Sequence, residues 1–148
     1  MRLSGTVLIK APREKVWQYL TDPEQVTKCA PGLESMEVIA PNERFRAVAS
    51  VGFGAIKATF VVDVDWTELD APNRARMKLH GKAPGGVVDG TTEMVLSDGP
   101  EGATELAWSA DLTIVGTIAS LAARLMGTVS KTITDTFFKC VRKQIEEG

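Results

Sequence analysis

An alternating strand leads into a long amphipathic helix in residues 104–148, TELAWSADLTIVGTIASLAARLMGTVSKTITDTFFKCVRKQIEEG. Apolar side chains recur every three or four residues along the helical part and form one continuous stripe. They are Ile118, Leu121, Leu125, Val129, Ile133, Phe137 and Val141. A helix of about 30 residues is about 45 Å long, so we expect it to lie along an equally broad apolar surface. Small residues beside the stripe, such as Ala122 and Gly127, favour a cavity under the helix, although they also suit tight packing on a sheet.

Composition indicates one globular domain over residues 1–148, with no internal repeat. The chain is 44% apolar and 24% charged, with a formal net charge of −2, which is ordinary for such a domain. No Lys/Arg cluster is interleaved with aromatic residues, so nucleic-acid binding is not expected. Cys29 and Cys140 lie far apart and outside any Cys/His cluster, so we expect reduced thiols in a cytoplasm, without a metal site or a disulfide.

We expect no signal peptide in residues 1–10 and no membrane span in residues 112–129. Residues 1–10 alternate like a strand and lack the apolar run of a signal peptide. Residues 112–129 carry a single charge, Arg124, and approach the length of a membrane span. Their first part continues a strand pattern, however, and the helical stripe continues amphipathically beyond them. We therefore expect a strand followed by an amphipathic helix.

The element order predicted from periodicity is one strand, two short helices, six strands and the long helix. Pro12 suits a first helical turn, and Asp22-Pro23 repeats the signal as an N-cap with proline. Strand patterns cover residues 1–10, 33–40, 44–51, 57–66, 74–82, 87–97 and 104–114, separated by turn-rich segments. The sequence thus predicts an α+β fold in which the long helix covers a six- to seven-stranded antiparallel sheet.

The period of two assigns the apolar side chains of the strands to one face of this sheet. We expect the inner face to include Phe60, Val62, Val64, Met77, Leu79, Met94, Trp108 and Leu112. On the outer face, Asp63 is expected opposite Lys78 and Asp65 opposite Arg76. The inner positions of the last four strands hold no Asp, Glu, His, Lys or Arg.

The lack of titratable side chains at these inner positions argues against catalysis, which needs such groups within reach of a substrate. His80, the only histidine, falls in the outward register, and no phosphate-binding loop is present. We therefore predict no catalytic residue and no metal ligand. Thr92 and Tyr19 are the polar groups that the inner region offers. Inward-turned Glu34, Glu37 or His80 with a shifted pKa would instead favour a cyclase- or dehydratase-like enzyme.

Apolar residues occur at several turn tips, where polar residues are usual. Phe53, Ile56, Val87 and Ile118 form either a rim at a cavity mouth, in contact with membrane or partner, or a plug at the end of the core. The sequence leaves these alternatives open.

The chain resembles the family of the carbon monoxide dehydrogenase CoxG subunit, within the START and plant-allergen-like (SRPBCC) superfamily. The resemblance rests on IKAP at 9–12 with Val16-Trp17, DPE at 22–24, CAPGLES at 29–35, VG at 51–52, IKATF at 56–60, GK at 81–82, and the segment from Val115-Gly116 to Phe137-Phe138. It implies the helix-grip fold, a curved antiparallel sheet wrapped around a long C-terminal helix, with two short helices between strands 1 and 2.

The resemblance also implies a non-catalytic accessory protein that serves a molybdenum hydroxylase of the carbon monoxide dehydrogenase type. Relatives bind lipids or prenyl quinones, so no covalent cofactor is expected, only a bound quinone or lipid. The expected ligand-binding residues are Phe60, Val62, Val64, Met77, Leu79, Met94, Trp108, Leu112, Leu121, Leu125 and Val129. The expected location is cytoplasmic or peripheral on the inner membrane, with contact through the domain itself because the chain stops right after the helix. A pure protein-interaction module with a solid core is the third hypothesis.

Overall fold

Seven strands and three α-helices form the described part of the chain in its computed structural model, which covers residues 1–53 and 55–147 without the side chain of residue 53. The strands are β1 (Arg2–Ile9), β2 (Leu33–Ala40), β3 (Arg44–Phe53), β4 (Ile56–Asp70), β5 (Arg74–Ala83), β6 (Gly86–Asp98) and β7 (Thr104–Gly116). The helices are α1 (Arg13–Leu20), α2 (Pro23–Val26) and α3 (Ala119–Glu147), and a 3-10 turn at Thr27–Cys29 extends α2. The predicted element order is therefore confirmed.

All seven strands belong to one antiparallel sheet in the order β1-β7-β6-β5-β4-β3-β2. Neighbouring strands in this order are joined by hairpins, except that β1 pairs with β7 across the length of the chain. The edges of the sheet are thus β1 and β2. The sheet is curved and α3 lies across its inner face, which confirms the predicted helix-grip fold.

The apolar stripe of α3 crosses two separate clusters of buried side chains. The main core surrounds Val141 and Ile145 near the end of α3, and includes Ile9, Val16, Trp17, Leu20, Cys29, Leu96 and Leu106. The small core surrounds Ile118 and Ala122 at its start, and includes Ala58 and Phe60 with Leu121, Leu125 and Val129 packed against them. Each fully buried Val, Leu or Ile contributes about 1.5–3 kcal/mol, so the two ends of α3 are firmly attached to the sheet.

The segment between β1 and β2 forms short helices for local reasons. Pro12 is extended (φ −64°, ψ 153°) and precedes α1, where its missing N–H has no cost. Asp22 caps α2 by accepting a hydrogen bond from the Glu24 amide at 3.0 Å. The 3-10 turn at Thr27–Cys29 follows α2 directly and packs against α3.

This packing overturns the expectation of separate thiols, because Cys29 and Cys140 form a disulfide with their Cα atoms 5.4 Å apart. The prediction was wrong because it relied on distance along the sequence. The 3-10 turn packs against the C-terminal half of α3, and this contact brings the two cysteines together.

The outer face of the sheet carries rows of ion pairs, but the predicted partners of two carboxylates were wrong. Asp63 lies opposite His80 and Asp65 opposite Lys78, because the β4–β5 turn is placed later than expected and a bulge follows Trp66. The close partners come from β3 instead. Arg46 contacts Asp63 at 2.8 Å and Arg44 contacts Asp65 at 2.6 Å. These charges belong to the outer face.

Candidate ligand-binding cavity

A cavity of about 460 Å³ lies between the inner face of the sheet, α3 and the segment containing α2. Its volume falls within the range of about 300–1,000 Å³ that is typical of small-molecule sites. The residues that line it are Leu20, Val26, Thr27, Ala30, Leu33, Phe45, Ala47, Ala49, Val62, Trp66, Ala75, Met77, Thr92, Glu93, Met94, Leu106, Trp108, Ser109, Ala110, Ile133, Thr134, Phe137 and Phe138. The cavity therefore lies beside the main core, under the middle of α3.

Aromatic rings form a large part of the wall. Phe137 and Phe138 of α3 make an edge-to-face contact with ring centroids 5.0 Å apart, and Phe138 lies 6.3 Å from Trp108 of β7. On the other side, Phe45 of β3 and Trp66 of β4 have centroids 6.5 Å apart. Small residues, among them Ala47, Ala49 and Ala110, occupy the sheet between these groups, and their size leaves the cavity open.

Most polar groups of the wall already have partners within the protein. The Glu93 carboxylate accepts hydrogen bonds from Arg74 and Arg76, both at 3.0 Å. The bond from Arg74 is the main reason why the pKa of Glu93 is lowered. Thr27 donates to the Pro23 carbonyl and Thr134 to the Ser130 carbonyl. Among the described lining residues there is no Lys, Arg or His, so the cavity offers apolar contact and little charge.

The structure brings only part of the predicted ligand-binding set to this cavity. Val62, Met77, Met94 and Trp108 line it. Phe60 belongs to the small core, and Leu121, Leu125 and Val129 pack against that core. Val64, Leu79 and Leu112 are also outside the lining set. The difference has a physical cause: the first three turns of α3, up to Val129, pack against the small core, so the open space begins farther along the helix.

Several lining residues were missed although the sequence carried a signal for them. Phe45, Ala47 and Ala49 alternate with Arg44, Arg46 and Val48 in β3, which is the pattern of a strand with one buried face. Ile133 and Phe137 belong to the predicted apolar stripe. The contributions of Val26, Thr27 and Ala30 had no such signal, because short helices and turns lack a clear period.

The three predicted rim residues whose side chains the structure describes do not form one rim. Ile118 is only 8% exposed and belongs to the small core, so it is part of the plug. Ile56 is 52% exposed at the β3–β4 hairpin. Val87 pairs with Lys82 of β5 and Val115 of β7. It therefore belongs to the outer face of the sheet and not to the cavity. The side chain of Phe53 lies outside the described residues.

Two surface grooves share wall residues with the cavity. The larger, of about 780 Å³, lies between the α1–α2 segment and the β2–β3 hairpin, and we call it the outer groove. It shares Phe45 and Trp66 with the cavity. The smaller, of about 300 Å³, lies between β1 and α3, and we call it the side groove. It shares Trp108 and Thr134 with the cavity.

The titratable groups that would have indicated an enzyme lie outside the cavity wall. Glu34 and Glu37 are exposed on β2, and His80 pairs with Asp89 across the outer face of β5 and β6. Tyr19 places its hydroxyl 3.3 Å from Cys29 Sγ, and burial raises its pKa. None of these four residues lines the cavity. In the described part of the chain, α3 and the other helices lack the apolar length needed to cross a bilayer.

Solved structures of other proteins share this architecture. A conserved protein from Geobacillus kaustophilus is 25% identical, with a TM-score of 0.90 over 99% of this chain and 96% of its own. The Zhui aromatase/cyclase from a Streptomyces species is 17% identical, with a TM-score of 0.76 over 99% of this chain and 93% of its own. A START superfamily protein from Mycobacterium smegmatis is 12% identical, with a TM-score of 0.69 over 99% of this chain and 97% of its own. The fold is therefore that of the START-like helix-grip class.

The sequence itself identifies the family within this class. The family model of the carbon monoxide dehydrogenase CoxG subunit matches residues 5–146, and the chain belongs to that family. Among curated proteins, none matches the sequence significantly.

Proposed function

We propose that this protein is a non-catalytic binding protein for a hydrophobic molecule, a respiratory quinone or a lipid. The observation that supports this is the cavity of about 460 Å³, whose walls are largely aromatic and aliphatic. Apolar surface buried in it would contribute about 25 cal/mol per Å² before the costs of ordering the ligand. Binding is favoured over catalysis because Glu34, Glu37 and His80 point away from this space and Glu93 is held by two arginines.

We further propose that the ligand links a molybdenum hydroxylase of the carbon monoxide dehydrogenase type to the membrane. Membership of the CoxG family supports this partner. Such an enzyme releases electrons that must reach a membrane pool, and a carrier that holds a quinone in this cavity would supply that step. The small net charge of −2 favours docking through shape and local apolar contact over long-range attraction.

The ligand is tested by extracting the purified protein with organic solvent and analysing the extract by mass spectrometry. A quinone or lipid at near-stoichiometric amount is expected. The matched variants are Ala110→Leu, which fills space in the cavity wall, and Ala107→Leu on the exposed side of the same strand. Ala110→Leu should lose the ligand and Ala107→Leu should keep it. Absence of any extracted molecule, together with no binding of added quinone, would contradict the proposal.

Membrane contact would use an apolar row on the outer face rather than the cavity mouth. Val61, Val87 and Val115 lie in one register line across β4, β6 and β7, with Lys82 between the first two. Val61 is 45% exposed and Val115 is 60% exposed. Val115→Asp should weaken flotation with liposomes, because a charge opposes insertion into an apolar layer. Ser97→Asp, at the opposite end of the sheet, is the control, and equal flotation of both variants would exclude this surface.

The partner is tested by deleting the gene in its native host. The hydroxylase should keep its activity with a soluble dye while its membrane-coupled respiration falls. Complementation with Ala107→Leu should restore the coupling, and complementation with Ala110→Leu should not. Unchanged coupling in the deletion strain, with mature hydroxylase present, would overturn the partner assignment but leave the ligand assignment intact.

A further inference from the structure

The free edge of β1 carries a row of backbone groups that the sheet does not use. Among the described residues, β7 is the strand that pairs with β1. Met1 and Leu112 exchange two hydrogen bonds, each at 2.8 Å. Because bonded pairs alternate along an antiparallel ladder, residues 3, 5 and 7 bond to β7, and the amides and carbonyls between them point away from the sheet. These outward groups belong to Arg2, Ser4, Thr6 and Leu8.

This edge lacks the features that usually prevent strand pairing, which are charges, prolines and bulges. The other edge strand, β2, has them: it carries Glu34 and Glu37, and its register against β3 shifts near both of its ends. In β1, residues 3–9 are uncharged and the register with β7 is unbroken. The charge of Arg2 is balanced by Asp111, which it contacts at 3.1 Å. The free edge of β1 can therefore accept another strand.

The side groove provides open space beside this edge. Residues 3–6 of β1 form one of its walls and α3 forms the other. On the α3 wall, Lys131 and Asp135 pair with each other at 2.8 Å, and Ser130 and Thr134 donate to carbonyls of their own helix. Since Lys131 and Asp135 are the charged groups among the described lining residues, the groove has no net charge. It suits an uncharged strand better than a charged one.

The β1 strand of a second copy has this uncharged character, and its pairing with β1 is self-complementary. About a two-fold axis beside Gly5, antiparallel strands place Ser4 opposite Thr6 of the second copy and Arg2 opposite Leu8 of the second copy. Every outward amide and carbonyl of both strands then has a partner. Such an isologous contact is the usual arrangement of homodimers, and pairing at a free edge is a common mode of recognition.

The inner face of the sheet favours the same register. This register places Gly5 opposite Gly5 of the second copy, so neither strand brings a side chain to a crowded position. A Cβ atom at Gly5 would lie only 2.8 Å from Trp108 Nε1. A shift of the register by two residues would either leave the outward groups of Leu8 unpaired or place Arg2 against Lys10 of the second copy, a pair of like charges.

We propose that the free edge of β1 is an interaction surface for a second copy of this chain. Two copies join through antiparallel β1 strands, and their sheets become one continuous sheet. This inference goes beyond the proposed function, because the contact needs neither a ligand nor the hydroxylase.

Sedimentation velocity over a series of protein concentrations tests the contact, and wild-type protein should form dimers. Ser4→Lys/Thr6→Lys places like charges opposite each other across the axis and should raise the dissociation constant by about tenfold. Ser4→Lys/Thr6→Glu places opposite charges there and should restore dimers. All these positions are exposed, so the variants should fold. Ser35→Lys/Ile39→Lys, which adds two positive charges to β2, is the control and should remain dimeric.

Wild-type protein that stays monomeric at every concentration would overturn the inference. Equal dissociation constants for Ser4→Lys/Thr6→Lys and Ser4→Lys/Thr6→Glu would also overturn it, because the predicted register makes one pair of charges repulsive and the other attractive. In either case the proposed function would stand.

Amide hydrogen exchange gives a second, residue-specific readout. The amides of Ser4 and Thr6 should be protected at high protein concentration and should exchange rapidly on dilution. The amides of Gly5 and Val7 bond to β7, so they should be protected at both concentrations. In Ser4→Lys/Thr6→Lys, the amides at positions 4 and 6 should exchange rapidly under both conditions. Concentration-dependent protection that appears in β2 instead of β1 would overturn the inference.

Discussion

Cys29 and Cys140 are joined by a disulfide that attaches the 3-10 turn after α2 to the C-terminal half of α3. Both attached segments contribute to the cavity wall, through Thr27 and Ala30 on one side and Phe137 and Phe138 on the other. The bond therefore holds together two walls that come from opposite ends of the chain. A change in this bond would affect the stability of the domain and the shape of the cavity together.

Reduction of this disulfide should destabilise the protein. The bond connects residues 111 positions apart, and cross-links of long loops typically contribute about 2–4 kcal/mol, mainly by restricting the unfolded chain. Urea denaturation with and without dithiothreitol measures the difference. The double variant Cys29→Ala/Cys140→Ala is the control, because its stability should not respond to the reductant. A wild-type protein that is equally stable in both conditions would contradict the prediction.

Gly5 should not tolerate a side chain, because Trp108 occupies the space beside it. A Cβ atom at Gly5 would lie 2.8 Å from Trp108 Nε1, so Gly5→Ala must displace the indole that lines the cavity. Overpacking of this kind costs about 1–3 kcal/mol, and we expect an altered tryptophan emission as well. Gly52→Ala is the matched control, since nothing lies within 4 Å of a Cβ atom there. Equal melting temperatures for the two variants would be incompatible with this packing.

The outer ion pairs predict a loss of stability in acid. Hydrogen bonds from Arg46 and Arg44 are the largest causes of the lowered pKa values of Asp63 and Asp65. A carboxylate with a lowered folded-state pKa stabilises the fold above its unfolded pKa, about 3.9 for Asp. This stabilisation is lost as the pH falls through the folded-state pKa.

Arg44→Gln/Arg46→Gln should therefore be less stable than wild type at neutral pH, and the difference should narrow below about pH 4. Urea denaturation across this range measures it. Lys139→Gln/Lys143→Gln, which removes two positive charges from exposed positions of α3, is the control for net charge. The free energy of unfolding of Arg44→Gln/Arg46→Gln could instead differ from that of wild type by the same amount at every pH. That result would show that the ion pairs do not cause the difference.

The fold could be predicted from the sequence because its main signals are periodic. Alternation indicated the strands, and the stripe from Ile118 to Val141 indicated α3. The two short helices were indicated by the start signals at Pro12 and Asp22-Pro23. The position of the cavity was predicted less well, because it depends on how deeply Phe60 and Ile118 fill one end of the space under α3. The disulfide was missed since it arises from packing of a short turn that has no period. The small residue Gly127 suited either a cavity or tight packing on the sheet, and the structure shows nothing within 4 Å of a Cβ atom there, which excludes tight packing at this position.

The Phe45–Trp66 pair separates the cavity from the outer groove, and this wall suggests where a ligand enters. Both rings border the outer groove of about 780 Å³ and the inner cavity, and their planes are tilted by 50°. Trp66→Leu would remove part of this wall and join the two spaces. The leucine side chain keeps apolar contact. The loss of stability should therefore be smaller than that of a truncation to alanine, which costs about 3–5 kcal/mol.

We therefore expect Trp66→Leu to speed ligand exchange several-fold. Association and dissociation should rise together, because a wider entrance lowers the barrier in both directions and changes the bound state little. Stopped-flow transfer of phylloquinone between protein and vesicles measures both rates. Trp108→Leu is the comparison variant, since Trp108 separates the cavity from the side groove of about 300 Å³. Faster exchange in Trp108→Leu than in Trp66→Leu would place the entrance between β1 and α3 instead.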